Sequence, residues 1–283
     1  MKKIILFASA LYFMAACNEP ANNSSSQSHD GHAHDSAHNH EGTGPQDSAQ
    51  VLFKKDGISI AYFEESPDFP DAKLTYMKPD IDKPVKEGKT LFQYKVENFQ
   101  LTEQTADAAH KHCNNSEKGQ HIHHILNNEP YTAHYTDTFS KNLKAGHYVN
   151  LAFLSRSYHE SIKHKGAYQL NQFSVGKAET KSTFDASAPH MFYSRPKGDY
   201  VGADTKKILL DFYLVNTELS ENGNKVRAII NKTEFMLTKW APYAIYGLPM
   251  GENTISLELV DKDNKVIPGP FNKVERKITL KEQ

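Results

Sequence analysis

The chain has two cysteines, one tryptophan (Trp240) and four arginines in 283 residues, and no histidine after His190. Each scarcity excludes something. If the Cys17 sulfur is taken up by modification, Cys113 is the only thiol left, so an intrachain disulfide is excluded even in an oxidising compartment. Four scattered arginines (Arg156, Arg195, Arg227, Arg276) and a formal net charge of -1 form no basic stripe, which argues against nucleic acid as partner. No apolar run reaches the roughly 20 residues that a bilayer span requires. Sustained helical periodicity with caps is missing. So are a Ser-His-Asp pattern, a glycine-rich phosphate loop and a nucleophile elbow, so no enzyme is expected and no catalytic residue is assigned.

What is present begins with an address. Lys2 and Lys3 precede an apolar stretch from Ile4 to Met14, and Met14-Ala15-Ala16 leads into Cys17. This resembles a bacterial lipobox, with Met14 where leucine is usual. The resemblance implies a signal peptide over 1–16, cleavage before Cys17 and lipidation of that residue. Asn18 is not the aspartate of inner-membrane retention, so an outer-membrane anchor is expected, facing either the periplasm or the cell surface.

Residues 17–50 are rich in Asn, Ser, Gln, Asp, Gly and His and nearly devoid of apolar side chains. Such a segment cannot bury enough surface to offset its chain entropy, so a disordered tether is expected. It carries His29, His32, His34, His38 and His40 beside Asp30, Asp35 and Glu41, a composition suited to loose chelation of a borderline metal ion. Asp35-Ser36-Ala37 and Asp47-Ser48-Ala49 resemble the Bacteroidota O-glycosylation signal, which makes Ser36 and Ser48 candidate acceptors.

The remainder is duplicated. Thr75-Tyr76-Met77-Lys78-Pro79 matches Phe192-Tyr193-Ser194-Arg195-Pro196, and Val96-Glu97-Asn98 matches Leu214-Val215-Asn216. Gly119 to Asn127 parallels Gly223 to Asn231, Gly146 parallels Gly251, and Phe173 and Val175 parallel Ile278 and Leu280. Alternation such as Phe92, Tyr94 and Val96 against Gln93, Lys95 and Glu97 reads as half-buried strands. Turns such as Glu221-Asn222-Gly223-Asn224 and Met250-Gly251-Glu252-Asn253 separate them. The predicted fold class is all-β: two tandem immunoglobulin-like β-sandwiches, over 51–178 and 188–283, with an extra strand near Ile58–Phe63 in the first.

One copy then serves as a control for the other. From Asn98 to Gly119 is 21 residues, but from Asn216 to Gly223 only seven; the additional 14 hold His110, His112 and Cys113. On the strand that follows, His121 and His123 are two apart and share a face. The second copy has Lys225 and Arg227 there, so an outward orientation is predicted; His124 matches Ala228 and is predicted inward. His147 opens a later strand and is a further candidate, with His134, His159 and His164 nearby in sequence.

Imidazole and thiolate suit Zn(II), Cu(II) and Ni(II), and few methionines argue against Cu(I). The expected metal site is drawn from His110, His112, Cys113, His121, His123 and His147. Gly119-Gln120-His121-Ile122-His123 resembles the Gly-Phe-His-x-His segment of copper–zinc superoxide dismutases, but their other spaced histidines and paired cysteines are not matched.

As a whole, the chain resembles a group of Bacteroidota outer-membrane lipoproteins with tandem immunoglobulin-like repeats. The likeness rests on the lipobox, on Gly119 to Tyr131 and on Gly247 to Ile255. Some members are described as phosphopeptide-binding, for which the four separated arginines offer no cluster. The leading expectation is an envelope lipoprotein that binds a divalent transition metal for sequestration or delivery. The alternative is an accessory or adhesion lipoprotein that binds a glycan or protein.

Overall fold

The computed structural model describes residues 50–177 and 182–283. The leader, Cys17, the tether histidines, Ser36 and Ser48 lie outside the described residues. Among the described residues there is no α-helix, and no helix long and apolar enough to cross a membrane.

In chain order the strands are β1 (Val51–Lys55), β2 (Ile58–Tyr62), β3 (Lys73–Lys78), β4 (Gly88–Glu97), β5 (His121–Leu126), β6 (Thr132–His134), β7 (Thr138–Leu143), β8 (Gly146–Ser155) and β9 (Tyr168–Val175). The second repeat continues with β10 (His190–Arg195), β11 (Gly198–Val201), β12 (Ile208–Val215), β13 (Lys225–Ile230), β14 (Thr233–Leu237), β15 (Tyr243–Tyr246), β16 (Gly251–Val260) and β17 (Lys273–Lys281).

Four sheets result, ordered β3-β4-β7, β6-β5-β8-β9, β1-β2-β15-β12-β10 and β11-β17-β16-β13-β14. The first two form one sandwich and the last two the other. The duplication is visible strand by strand: β5 lies between β6 and β8 as β13 lies between β14 and β16. Matching asparagines clamp both copies, Asn127 Oδ1 accepting from Val149 N and Asn231 Oδ1 from Thr254 N. The fold is therefore all-β, with tandem immunoglobulin-like sandwiches.

The repeats are stacked face to face, so three apolar cores separate four sheets. Phe92, Tyr94, Ile122, Leu154 and Phe173 fill the first sandwich, and Tyr193, Leu210, Phe212, Ile230 and Leu257 fill the second. Between them, Ile125, Leu151 and Phe153 of the first repeat meet Phe192, Tyr213 and Val215 of the second. Strand β12 supplies both faces: Leu210 and Phe212 point into its own sandwich, Tyr213 and Val215 into the seam.

The seam also contains charge. Asp211 of β12, wholly buried, accepts from Lys163 Nζ and from Ser161 Oγ at 3.1 Å, both in the first repeat. Arg156 and Glu160 pair at 3.0 Å nearby, both nearly inaccessible.

Two expectations are revised. Residues 51–62 belong to the second sandwich, because β2 pairs antiparallel with β15, Ile60 opposite Ile245. The alternation of Ile58 and Ile60 fits that core, where both are buried. The 14-residue insertion, predicted as a metal arm, is a clasp between repeats. Lys207 donates to Lys111 O at 2.6 Å, Asn114 Nδ2 to Asp204 Oδ2 at 3.2 Å, and Cys113 packs with Phe63, Tyr158, Leu209 and Tyr246.

Candidate metal centre

The alternation of β5 assigns its histidines to two different cores. His124 points inward, its ring edge-on to Phe92 at 4.5 Å and Phe139 at 5.0 Å, as its match to Ala228 predicted. His121 and His123 point outward from their own sheet, also as predicted, but the second repeat covers that face and both are fully buried. Their counterparts Lys225 and Arg227 lie on the outermost sheet and are half-buried.

A third imidazole reaches them from the turn after β8. Ser155 pairs with His121, and the chain then folds back, with Arg156 N donating to Glu160 O and His159 N to Arg156 O, each at 2.9 Å. This turn holds His159 at φ +70°, a left-handed conformation uncommon for a side chain of this size. One ring nitrogen from each of His121, His123 and His159 lies within 4.8 Å of the other two.

The separations have coordination character. His121 Nε2 is 2.9 Å from His123 Nε2 and 3.0 Å from His159 Nδ1. Zn–N bonds of about 2.0–2.1 Å at tetrahedral angles set ligand nitrogens about 3.3 Å apart, so on metal binding the two short contacts to His121 would open by a few tenths of an ångström while His123 and His159 settle at a similar spacing. His121 Nδ1 lies 2.8 Å from Gly119 O. A carbonyl only accepts, so Nδ1 carries the proton and Nε2 presents its lone pair. His123 Nδ1 is 3.3 Å from Ser194 Oγ, a contact that leaves Nε2 directed at the cluster. Hydrogen bonds from the far ring nitrogen are how metal-bound imidazoles are oriented.

Gly119 is required where it stands. Its φ is +80°, and a Cβ there would meet Thr102 O at 2.4 Å. The carbonyl that orients His121 is thus fixed by a turn that only glycine fits.

Burial pushes the His121 imidazole down to about 4, with Arg195 and Lys197 adding repulsion and the Gly119 hydrogen bond opposing. His123 and His159 are held well below the usual histidine range, again chiefly by burial. All three are uncharged at neutral pH, the form that a metal requires.

The same burial sets a pH limit for the metal-free fold. His121, His123, His124 and His159 all have lowered folded pKa values, against an ordinary value of 6.5. Below 6.5 the unfolded chain takes up protons that the folded chain refuses, so stability falls as pH drops. The slope is about 1.4 kcal/mol per pH unit for each such proton. A metal-free melting temperature that is flat above pH 7 and declines steeply from pH 6.5 toward 4 is the expected result. An unchanged value at pH 4.5 would contradict it.

The other predicted ligands lie elsewhere. His110 and His112 are solvent-exposed on the clasp. Cys113 is buried among apolar and aromatic side chains, which pushes its thiol up to about 12 and disfavours the thiolate that a metal needs. His147 is on β8, next to β5, but His123 pairs with Phe153, six residues along; that is about 20 Å of strand. Its Nδ1 contacts Ser174 Oγ at 2.9 Å instead. His134 stacks on Phe139, beside His124, in the first sandwich.

No family model and no curated protein matches the chain. Among solved structures it is similar to the fibronectin(III)-like modules of Clostridium thermocellum CbhA, at 12% identity over 74% of this chain and 94% of that one, with TM-score 0.26. It is also similar to the central fibronectin-III array of RIM-binding protein, at 8% identity over 77% and 72%, TM-score 0.24. A third similarity is to Bacteroides ovatus SGBP-B of a mixed-linkage glucan utilization locus, in complex with a mixed-linkage heptasaccharide, at 13% identity over 80% and 48%, TM-score 0.19. These likenesses are too loose to bear on the histidine cluster.

Proposed function

We propose that this chain is a lipoprotein of the bacterial outer membrane, anchored through Cys17, that binds one divalent transition metal ion at His121, His123 and His159. The observation that carries the reading is the convergence of three buried, uncharged imidazoles on one point. Imidazole donors suit Zn(II), Cu(II) and Ni(II). His159, 8% exposed, is the ligand nearest solvent and marks the route of exchange. The role is sequestration or delivery and not catalysis, with the five tether histidines as a loose first capture point.

The test is calorimetric titration of the chain with its five tether histidines replaced by serine, using Zn(II), Cu(II) and Ni(II) in turn. One equivalent of at least one ion is expected to bind. If none binds more tightly than it does to the same protein carrying His121→Ala and His159→Ala, the metal reading fails. An accessory lipoprotein that binds a glycan or protein is then the better description, with the cluster serving only to join the repeats.

A further inference from the structure

Three neutral imidazoles leave a bound dication's charge uncompensated, in a place where charge is already positive. Arg195 and Lys197 of the second repeat both depress the basicity of His121, His123 and His159. Neither forms a salt bridge among the described residues. Arg195 is 6% exposed and donates to Tyr200 Oη at 3.0 Å, while its Nε has no hydrogen-bond partner. A buried guanidinium with an unanswered donor calls for an anion.

The group placed to become that anion is Tyr131, in the segment between β5 and β6. Its ring stacks on His123 with centroids 3.5 Å apart and planes 13° from parallel. Lys197 Nζ sits 3.9 Å from the same centroid, and the Arg195 guanidinium carbon 5.4 Å from it. The hydroxyl is buried and 3.2 Å from His159 Nδ1. Burial pushes this phenol well up and Arg195 opposes the rise, so the proton leaves only against a cation bound beside it; the apolar pocket of Cys113 has no such cluster of imidazoles to hold one. Four donors therefore form a chain: His123 Nε2, His121 Nε2, His159 Nδ1 and Tyr131 Oη, at successive separations of 2.9, 3.0 and 3.2 Å.

We propose that Tyr131 is the fourth ligand, binding as phenolate, so that the site is a closed His3Tyr set whose negative charge is shared by the metal and Arg195. This rests on the metal-binding reading above and deepens it. On binding, the Tyr131 O–H bond breaks, an O–metal bond forms and the proton leaves to solvent. The histidines contribute no protons, being neutral beforehand. A filled coordination shell holds an ion and leaves no position for a substrate, in keeping with storage or transfer. The second repeat takes part in the site, because Arg195 and Ser194 come from it.

The test compares the full chain, tether histidines replaced by serine, with the same protein carrying Tyr131→Phe, which keeps the ring and its stacking. Cu(II) is the probe. Calorimetry at pH 6.5 in two buffers of different ionisation enthalpy counts protons, and visible absorption detects phenolate-to-copper charge transfer. The parent is expected to release one proton per Cu(II) and to show the charge-transfer band. Tyr131→Phe should release none, lack the band and bind at least about tenfold more weakly, while melting without metal as the parent does. Cu(II) binding to the parent with neither proton release nor band overturns the tyrosinate while leaving the three-histidine site intact. No Cu(II), Zn(II) or Ni(II) binding to either protein overturns both.

Discussion

His123→Phe is expected to weaken Zn(II) and Cu(II) binding by about 100- to 1,000-fold while leaving the metal-free fold nearly as stable as before. Phenylalanine keeps the flat ring between Tyr131 and Phe153, which lie 3.5 and 5.1 Å from the imidazole centroid. Near-isosteric replacements in a packed interior cost less than about 1.5 kcal/mol. Ser194 Oγ loses its contact with Nδ1 and His121 Nε2 its 2.9 Å contact with Nε2, a further cost limited because His121 Nε2 keeps His159 Nδ1 at 3.0 Å. The metal loses one of its donors. Structural Zn(II) sites hold their ion with about 10–16 kcal/mol over four ligands, so one ligand accounts for about 100- to 1,000-fold in affinity. Thermal melting gives a second readout. Metal at one hundred times its dissociation constant stabilises the parent by about 2.7 kcal/mol, and it should leave His123→Phe nearly unmoved. A variant that metal still stabilises as much as the parent would move the site elsewhere on the chain.

Asp211→Ala should be the most damaging single change in the seam. The carboxylate is wholly inaccessible and faces Lys163, whose side chain is 13% exposed. Removing one member of such a pair strands the other in a desolvated place, which costs about 3–5 kcal/mol. That is a large share of the roughly 5–15 kcal/mol by which folded proteins are stable. Asp211→Ala combined with Lys163→Met removes both charges and should recover a substantial part of the loss, since the penalty lies in the unpaired ammonium. Urea unfolding of the parent, the two single variants and the double variant measures the coupling. A loss below about 1 kcal/mol for Asp211→Ala would place the pair in effective contact with water, as for surface ion pairs.

The fold class, the duplication and the facing of β5 were legible because each is a local regularity: alternation, turn residues, repeated landmarks. The covering of the outward histidines was not read from β5, whose polar face looks the same under water or under another protein surface. Its signal lay in other strands. Ile208–Val215 and Leu151–Leu154 are apolar on both faces, which marks strands buried on both sides. Lys225–Ile230, by contrast, keeps a clean alternation. His159 escaped for a different reason. Its place depends on the register of β8 against β5 and on a left-handed turn, and neither leaves a motif in the chain. Cys113 misled because its sequence neighbours are polar, whereas its burial comes from β2, β12 and β15, far away in sequence.

A head-to-tail stack of two like units has no inherent end. The surface that receives one copy recurs on the next, and such contacts propagate into filaments unless something interrupts them. The interruption is visible on the sheet face of the second repeat that corresponds to the histidine-bearing face of the first. Arg227, Glu258 and Lys273 are tied together there in a small ionic lattice, which a third copy would have to strip of water. At the opposite end of the stack, Met77, Leu91 and Lys95 are exposed on the first sheet, where the second repeat buries Asp211, Tyr213 and Val215. The ionic face of the second repeat therefore opposes growth, while the first sheet differs from its counterpart in side chains such as the exposed Lys95. His121, His123 and His159 lie at the junction between the two described repeats, the place where an outward-facing strand of one copy is covered by the other.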